Sequence, residues 1–227
     1  MYTQVCLIVQ GYAQITPNVS ASTNVGNVTA HGRDSLDAYV VYSRIVAQAA
    51  DEGAATALAK SVVITTANGT ISASPAQADS PQALQIDFEI FTAPSTNLTL
   101  TSGTGDLAVD NYNAVLHLTS QVGNASLQNV QGQVSLDTGT GSIDVTLSGS
   151  GWVGAGMTAS TQQGSVSLSR PAAYQAAITA ESDLGTASID GKQATTAGQA
   201  PAVVTAGSGV PIMLKSMVGN VAVVATQ

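Results

Sequence analysis

The sequence predicts an all-β fold: a single-domain β-solenoid over residues 1–227, with about eight short-strand rungs, an 18-residue core period and one short N-terminal helical insertion. Three observations predict it. Segments 97–114 (NLTLTSGTGDLAVDNYNA), 115–132 (VLHLTSQVGNASLQNVQG) and 133–150 (QVSLDTGTGSIDVTLSGS) superpose without gaps. Each holds two alternating apolar–polar stretches around a glycine. The apolar residues, 44% of the chain, are mostly Ala and Val with scattered Leu and Ile, and only 4% of residues are aromatic. Small aliphatic side chains suit narrow, stacked β layers.

The regular region, 97–150, sets the grammar. Leu98, Leu116 and Val134 match, as do Leu100, Leu118 and Leu136. After the turn come Leu107, Ala125 and Ile143, then Val109, Leu127 and Val145. These rows face inward. Thr99, His117 and Ser135 fall between them and face solvent. The turn glycine, suited to positive φ or close backbone approach, is Gly105, Gly123 and Gly141. The same turn, Gly followed by a polar and then a small or β-branched residue, recurs at Gly26, Gly69, Gly164, Gly185 and Gly219. Insertions lengthen the outer intervals. Stacked at ~4.8 Å per rung, eight rungs make a rod roughly 40 Å long.

The remaining elements follow in order. Residues 33–60 form a strand-plus-helix insertion. Its strand covers Asp37 to Ala47, with Ala38, Val40, Tyr42 and Arg44 alternating against Tyr39, Val41, Ser43 and Ile45. Its helix covers Ala49 to Lys60, with Ala54, Ala57 and Leu58 as the apolar face and acids at the start. VVITTANGTIS reads as another rung, and Asp87 to Thr92 as an aromatic-bearing strand. Residues 196–227 form the terminal rung.

This order, with its tandem LTLTSGTGDLAV-type rungs, resembles the bacterial putative-adhesin family of β-solenoid domains of unknown function, related to auto-transporter adhesin head domains. The likeness runs from about Ile15 to Ala225 and rests on repeat grammar. It implies the fold and a setting in the cell envelope or outside the cell, and it carries over no site residue.

Composition excludes other classes. Six basic residues and a net charge of −8 leave no means of tracking a phosphate backbone, so no nucleic-acid partner is expected. No apolar stretch approaches the ~20 residues of a membrane span. An export signal or anchor is expected outside this chain, and Met1 as a gene or expression start. The single cysteine, Cys6, reads as a small apolar residue within Val5–Val9.

No catalytic residue, metal or cofactor is expected. Asp106 and Asp110 are the nearest acid pair, but each repeat row holds one acid only. A β-helix enzyme needs convergent carboxylates. GTGDLAVDN (103–111) lacks the double glycine and recurring Asp of a calcium β-roll. His31 and His117 read as surface residues. Sequons at Asn18, Asn27, Asn68, Asn97 and Asn124 are near chance for this composition. A Thr-rich ice-binding row is broken by His117 and Asp137. Trp152, in the insertion SGSGWVGAGM, is the candidate partner contact, although a plug over its own core is the favoured reading.

The expected function is therefore a non-enzymatic envelope or extracellular module, adhesin-like or protein-binding, with a protein or glycan surface partner. The alternative is a self-associating structural subunit, filament- or surface-layer-like, joined through end rungs formed by Tyr2–Gln10 and Val218–Thr226. A carbohydrate-active β-helix enzyme ranks last.

Overall fold

A computed structural model describes residues 3–14, 16–36, 38–74, 84–197 and 200–226. Met1, Tyr2, Ile15, Asp37, Gly198, Gln199 and Gln227, which bound or complete several expected segments, lie outside the described residues.

Alternation builds the central strands. In β8 (Asn97–Thr104), Leu98, Leu100 and Ser102 are buried and the intervening residues face out. The chain then turns at Gly105 and enters β9 (Leu107–Asp110), which buries Leu107 and Val109. The motif repeats in β10 (Asn113–Val122) with β11 (Ala125–Gln128), and in β12 (Gln131–Thr140) with β13 (Ile143–Thr146). The strands pair in parallel: Leu116 lies beside Leu98 and Val134, and Leu127 beside Val109 and Val145. Like residues thus stack in columns, and each strand satisfies its neighbours' backbone groups.

The same pattern extends both ways. Towards the N-terminal side lie β2 (Asn18–Val25) with β3 (Val28–Gly32), then β6 (Thr70–Ser74) with β7 (Leu84–Thr92). Towards the other side lie β14 (Gly156–Gln163) with β15 (Val166–Pro171), then β20 (Pro211–Val218) with β21 (Val221–Thr226), then β16 (Ala177–Leu184) with β17 (Thr186–Ile189). The first member of each pair joins one sheet and the second joins a facing sheet. The architecture is a solenoid-like, mostly β stack around one continuous apolar core.

Antiparallel strands finish the two ends. β4 (Ala38–Ala49) pairs with β7, and β1 (Thr3–Gln14) pairs with β4. β5 (Val63–Ala67) pairs with β6. At the far end β18 (Lys192–Thr195) pairs with β17, and β19 (Ala202–Ala206) with β16. One sheet therefore runs β1-β4-β7-β3-β9-β11-β13-β15-β21-β17-β18, and the other β19-β16-β20-β14-β12-β10-β8-β2-β6-β5. The helix α1 (Glu52–Ser61) packs on the core side of β1 and β4. Asp51 caps it by accepting from the Ala54 amide at 2.8 Å,.

Five expectations need correction. The helix buries Ala55 and Ala59 while Ala54 and Ala57 are exposed, because its packing face is set by where β4 lies. Residues 62–72 do not make up a two-strand level by themselves but contribute one strand of a level, β6 beside β2. They make the β5–β6 hairpin, whose turn residues Asn68 (φ 53°) and Gly69 (φ 77°) are both left-handed, as a two-residue hairpin turn demands. Gly69 is thus a hairpin residue, whereas Gly26, Gly105, Gly123, Gly141, Gly164, Gly185 and Gly219 occupy the inter-sheet corner with φ between 145° and 155°. The strand pair last in sequence is not last in space, since β21 lies between β15 and β17, so Val221–Thr226 is no free stacking edge. Cys6 is exposed, because alternation in β1 turns the odd-numbered residues inward.

Candidate functional site

The corner carries the most regular chemistry of the molecule. A Cβ on Gly105 would stand 2.0 Å from the Gly26 carbonyl oxygen, and one on Gly141 1.9 Å from that of Gly123. Only a residue without a side chain permits this spacing. Three positions before each corner glycine sits a buried hydroxyl. Ser102 donates to the Gly26 carbonyl at 2.9 Å, Thr161 to Gly141 at 2.9 Å, Ser216 to Gly164 at 2.8 Å and Ser182 to Gly219 at 2.7 Å. After the glycine, a side-chain oxygen accepts the backbone amide of the next level: Asn27 from Asp106 at 2.8 Å, Asp106 from Asn124 at 2.7 Å, and Asn124 from Ser142 at 2.9 Å. The sequence signal for this apparatus is Ser/Thr-x-x-Gly-polar, of which only the Gly-polar half is legible without the structure. Asp106, Asn27 and Asn124 hold the stack together.

Asp110 has a separate role. Its carboxylate pairs with His31 Nδ1, and Arg33 donates to it at 3.0 Å. Asp106 precedes β9 and Asp110 ends it, each with its own partners, so the two acids do not converge. His117 is exposed on the other sheet between Thr99 and Ser135. Trp152 is buried, and its indole nitrogen donates to the Gly132 carbonyl at 3.1 Å. Trp152 therefore fills its own core and offers no partner contact. Among the described residues, no group of three or more His, Cys, Asp or Glu is placed to hold a metal ion, and no helix is long and apolar enough to cross a membrane.

One outer face gathers aromatic and charged side chains, several of them half-buried, where β1, β4, β7, β3 and β9 lie side by side. Register decides the neighbours. Ile8 lies beside Arg44, and Arg44 beside Asp87; Gln10 lies beside Tyr42, and Tyr42 beside Glu89. Phe91 lies between Val40 and His31. His31 stacks on Phe91 with ring centroids 4.9 Å apart, and Tyr42 meets Phe91 edge-on at 6.0 Å. Gln10 donates to the Tyr42 hydroxyl at 2.9 Å. His31 Nε2 stands 3.5 Å from Glu89. Asp87 accepts from Arg44 Nε at 2.8 Å, from Gln85 at 2.9 Å and from the Asn27 amide at 2.8 Å.

A shallow open cleft of about 370 Å³ lies in this face, lined by Ile8, Tyr42, Arg44, Glu89, Asn27 and Thr29 among others. Ile8, which lines the cleft, is 68% exposed, and Tyr12 further along β1 is 64% exposed, so this face offers apolar surface. Opposite charges alternate across the floor, and the carboxylates of Asp87 and Asp110 are tied to cationic or amide partners. Such a surface can stack on a flat apolar group and exchange hydrogen bonds with a polar one. The aromatic strand at 87–92 is legible in the sequence, but this site is not. Tyr12, Tyr42 and Phe91 at alternating positions of extended segments were the available signal in a chain so poor in aromatics.

A family described as Toastrack DUF4097 matches residues 8–224. No curated protein matches the chain significantly. Among solved structures, it is similar to one described as a putative cell adhesion protein from Clostridium sporogenes, at 14% identity and a TM-score of 0.49, over 96% of this chain and 99% of that one. A putative adhesin from Bacteroides fragilis is similar at 12% identity and a TM-score of 0.44, covering 96% and 97%. A putative lipid binding protein from Parabacteroides distasonis is similar at 12% identity and a TM-score of 0.35, covering 96% of each chain.

Proposed function

The chain belongs to the Toastrack DUF4097 family, and on that premise we propose that it is a non-enzymatic, adhesin-like module of the bacterial envelope or exterior, which presents the outer face of β1, β4, β7 and β3 to a protein or glycan partner. The observation that carries this reading is the gathering of Ile8, Tyr42, Arg44 and Glu89 around one open cleft on a hydrogen-bonded sheet, with Phe91 set edge-on against Tyr42. A rigid sheet holds such side chains in place at little ordering cost on binding. We read the stack as a solenoid of eight rungs with an 18-residue core period, a scaffold that is long and presents flat flanks. A hydrolytic reading is disfavoured because Asp106 and Asp110 serve separate structural partners.

The test is immobilised full-length protein probed with a glycan array, envelope fractions and whole cells. Binding is expected, and Tyr42→Ala with Arg44→Ala should weaken it about tenfold or more. Absence of any bound partner, or binding indifferent to both changes, would overturn the proposal. Release of products from a polysaccharide panel, with or without calcium, would overturn its non-enzymatic part.

A further inference from the structure

Among the described residues, β1 is the longest edge strand: 12 residues, paired on one side with β4 and on the other side with nothing. Every second residue therefore turns its N–H and C=O to the open side. Sheet edges usually carry a charge, a proline or a bulge that prevents further pairing. Thr3–Gln14 holds no charged residue and no proline, and its pairing with β4 runs without interruption. On the core side, Val5, Leu7 and Val9 pack against α1 and the core but are only partly buried, because the sheet stops there.

We propose that β1 pairs antiparallel with β1 of a second copy, joining the two sheets across a two-fold axis. The composition of the strand selects this occupant. A symmetric pair sets like against like, so any charged edge would face its own charge; this strand carries none, although the chain is acidic overall. Alternation then limits the register. Full overlap would set Thr3 opposite Gln14 and place inward residues against outward ones, burying the wrong row. One step of slip sets Ile8 opposite Ile8, Leu7 opposite Val9 and Thr3 opposite Ala13. Both apolar rows then lie on the same side, each covering the other's uncovered flank. The contact is isologous and closes as a dimer. It also brings the two clefts side by side on one continuous face.

The experiment is light scattering and sedimentation of the full chain from micromolar to millimolar concentration, with hydrogen exchange of the β1 amides. The wild type should dimerise, with residues 4–12 protected in the dimer and released on dilution. Ile8→Lys puts two lysines face to face at the axis and should weaken the dimer about tenfold or more. Cys6→Lys, away from the cleft, should act in the same direction. Ile8 and Cys6 are exposed, so both variants should melt as the wild-type monomer does. A wild type that stays monomeric throughout, or a dimer that both variants leave intact with β1 unprotected, would overturn the proposal. Oligomeric state is read without any ligand, so this outcome is separate from the binding test.

Discussion

The carbonyl oxygen of Gly105 lies 2.1 Å from the point where a Cβ on Gly123 would stand, and Gly123 has φ of +152°. Steric exclusion and backbone conformation therefore act at one residue, and the clashing atom belongs to the backbone, which cannot turn aside.

Gly123→Ala should cost about 3 kcal/mol or more, because the corner must open or slip. Gly149 is the control. It has φ of +82°, and no atom lies within 4 Å of its added Cβ, so Gly149→Ala should cost only the conformational strain, about 1 kcal/mol. Urea unfolding of both variants measures the difference, and equal losses would refute the packing account.

Ser102 is fully buried and donates to the Gly26 carbonyl. Ser102→Ala should cost about 1–2 kcal/mol by leaving that carbonyl without its hydroxyl donor. Ser102→Thr should be nearly neutral, since Thr138 and Thr161 occupy the matching positions. Thermal melting of the pair checks both, and a tolerant alanine would show that the column is dispensable.

Trp152→Ala should cost about 3 kcal/mol or more by emptying a core site, while leaving partner binding per folded molecule unchanged. As the only tryptophan, it should fluoresce at the blue end of the range when folded and shift red on unfolding. A red native spectrum would contradict its burial.

Tyr112 is buried beside Thr92, its hydroxyl 2.8 Å from the threonine oxygen. Burial pushes its phenol up to about 12 from an ordinary 10.0. Only the neutral form suits the core, so its contribution to stability is fully present below pH 10 and is lost as pH rises towards 12. The loss amounts to about 2–3 kcal/mol. Burial also raises Tyr174 and Tyr39, adding to the same alkaline decline. Urea midpoints between pH 8 and 12 should fall above 10, and Tyr112→Phe should flatten part of the fall.

Leu98, Leu116 and Val134 announce their shared environment because each meets the same neighbours one level away, and a repeated environment selects a repeated residue type. Ser102 and its counterparts hid in plain view: serine reads as an outward residue unless the carbonyl it serves is known. Gly69 misled for a related reason, since hairpin turns and stack corners both demand positive φ and leave the same mark. The spatial order was less legible still. Alternation says which face Val221 and Val223 present, but any level with that pattern can sit against any other, so nothing local places them between β15 and β17. The outer face shares this difficulty. Ile8, Arg44 and Asp87 meet only through the β1-β4-β7 order, and their spacing along the chain carries no trace of it.

That interleaving orders events in time. Residues 186–189 leave the ribosome well before residues 221–226, yet the two strands touch only after the later one has taken its place. Until then β15 and β17 each present an unpaired flank, and the far end of the stack stays unfinished. Synthesis and folding thus run out of step, and a nascent chain needs residues 211–226 in hand before it can close. The late segment works as a latch, bonded along both flanks once it is home.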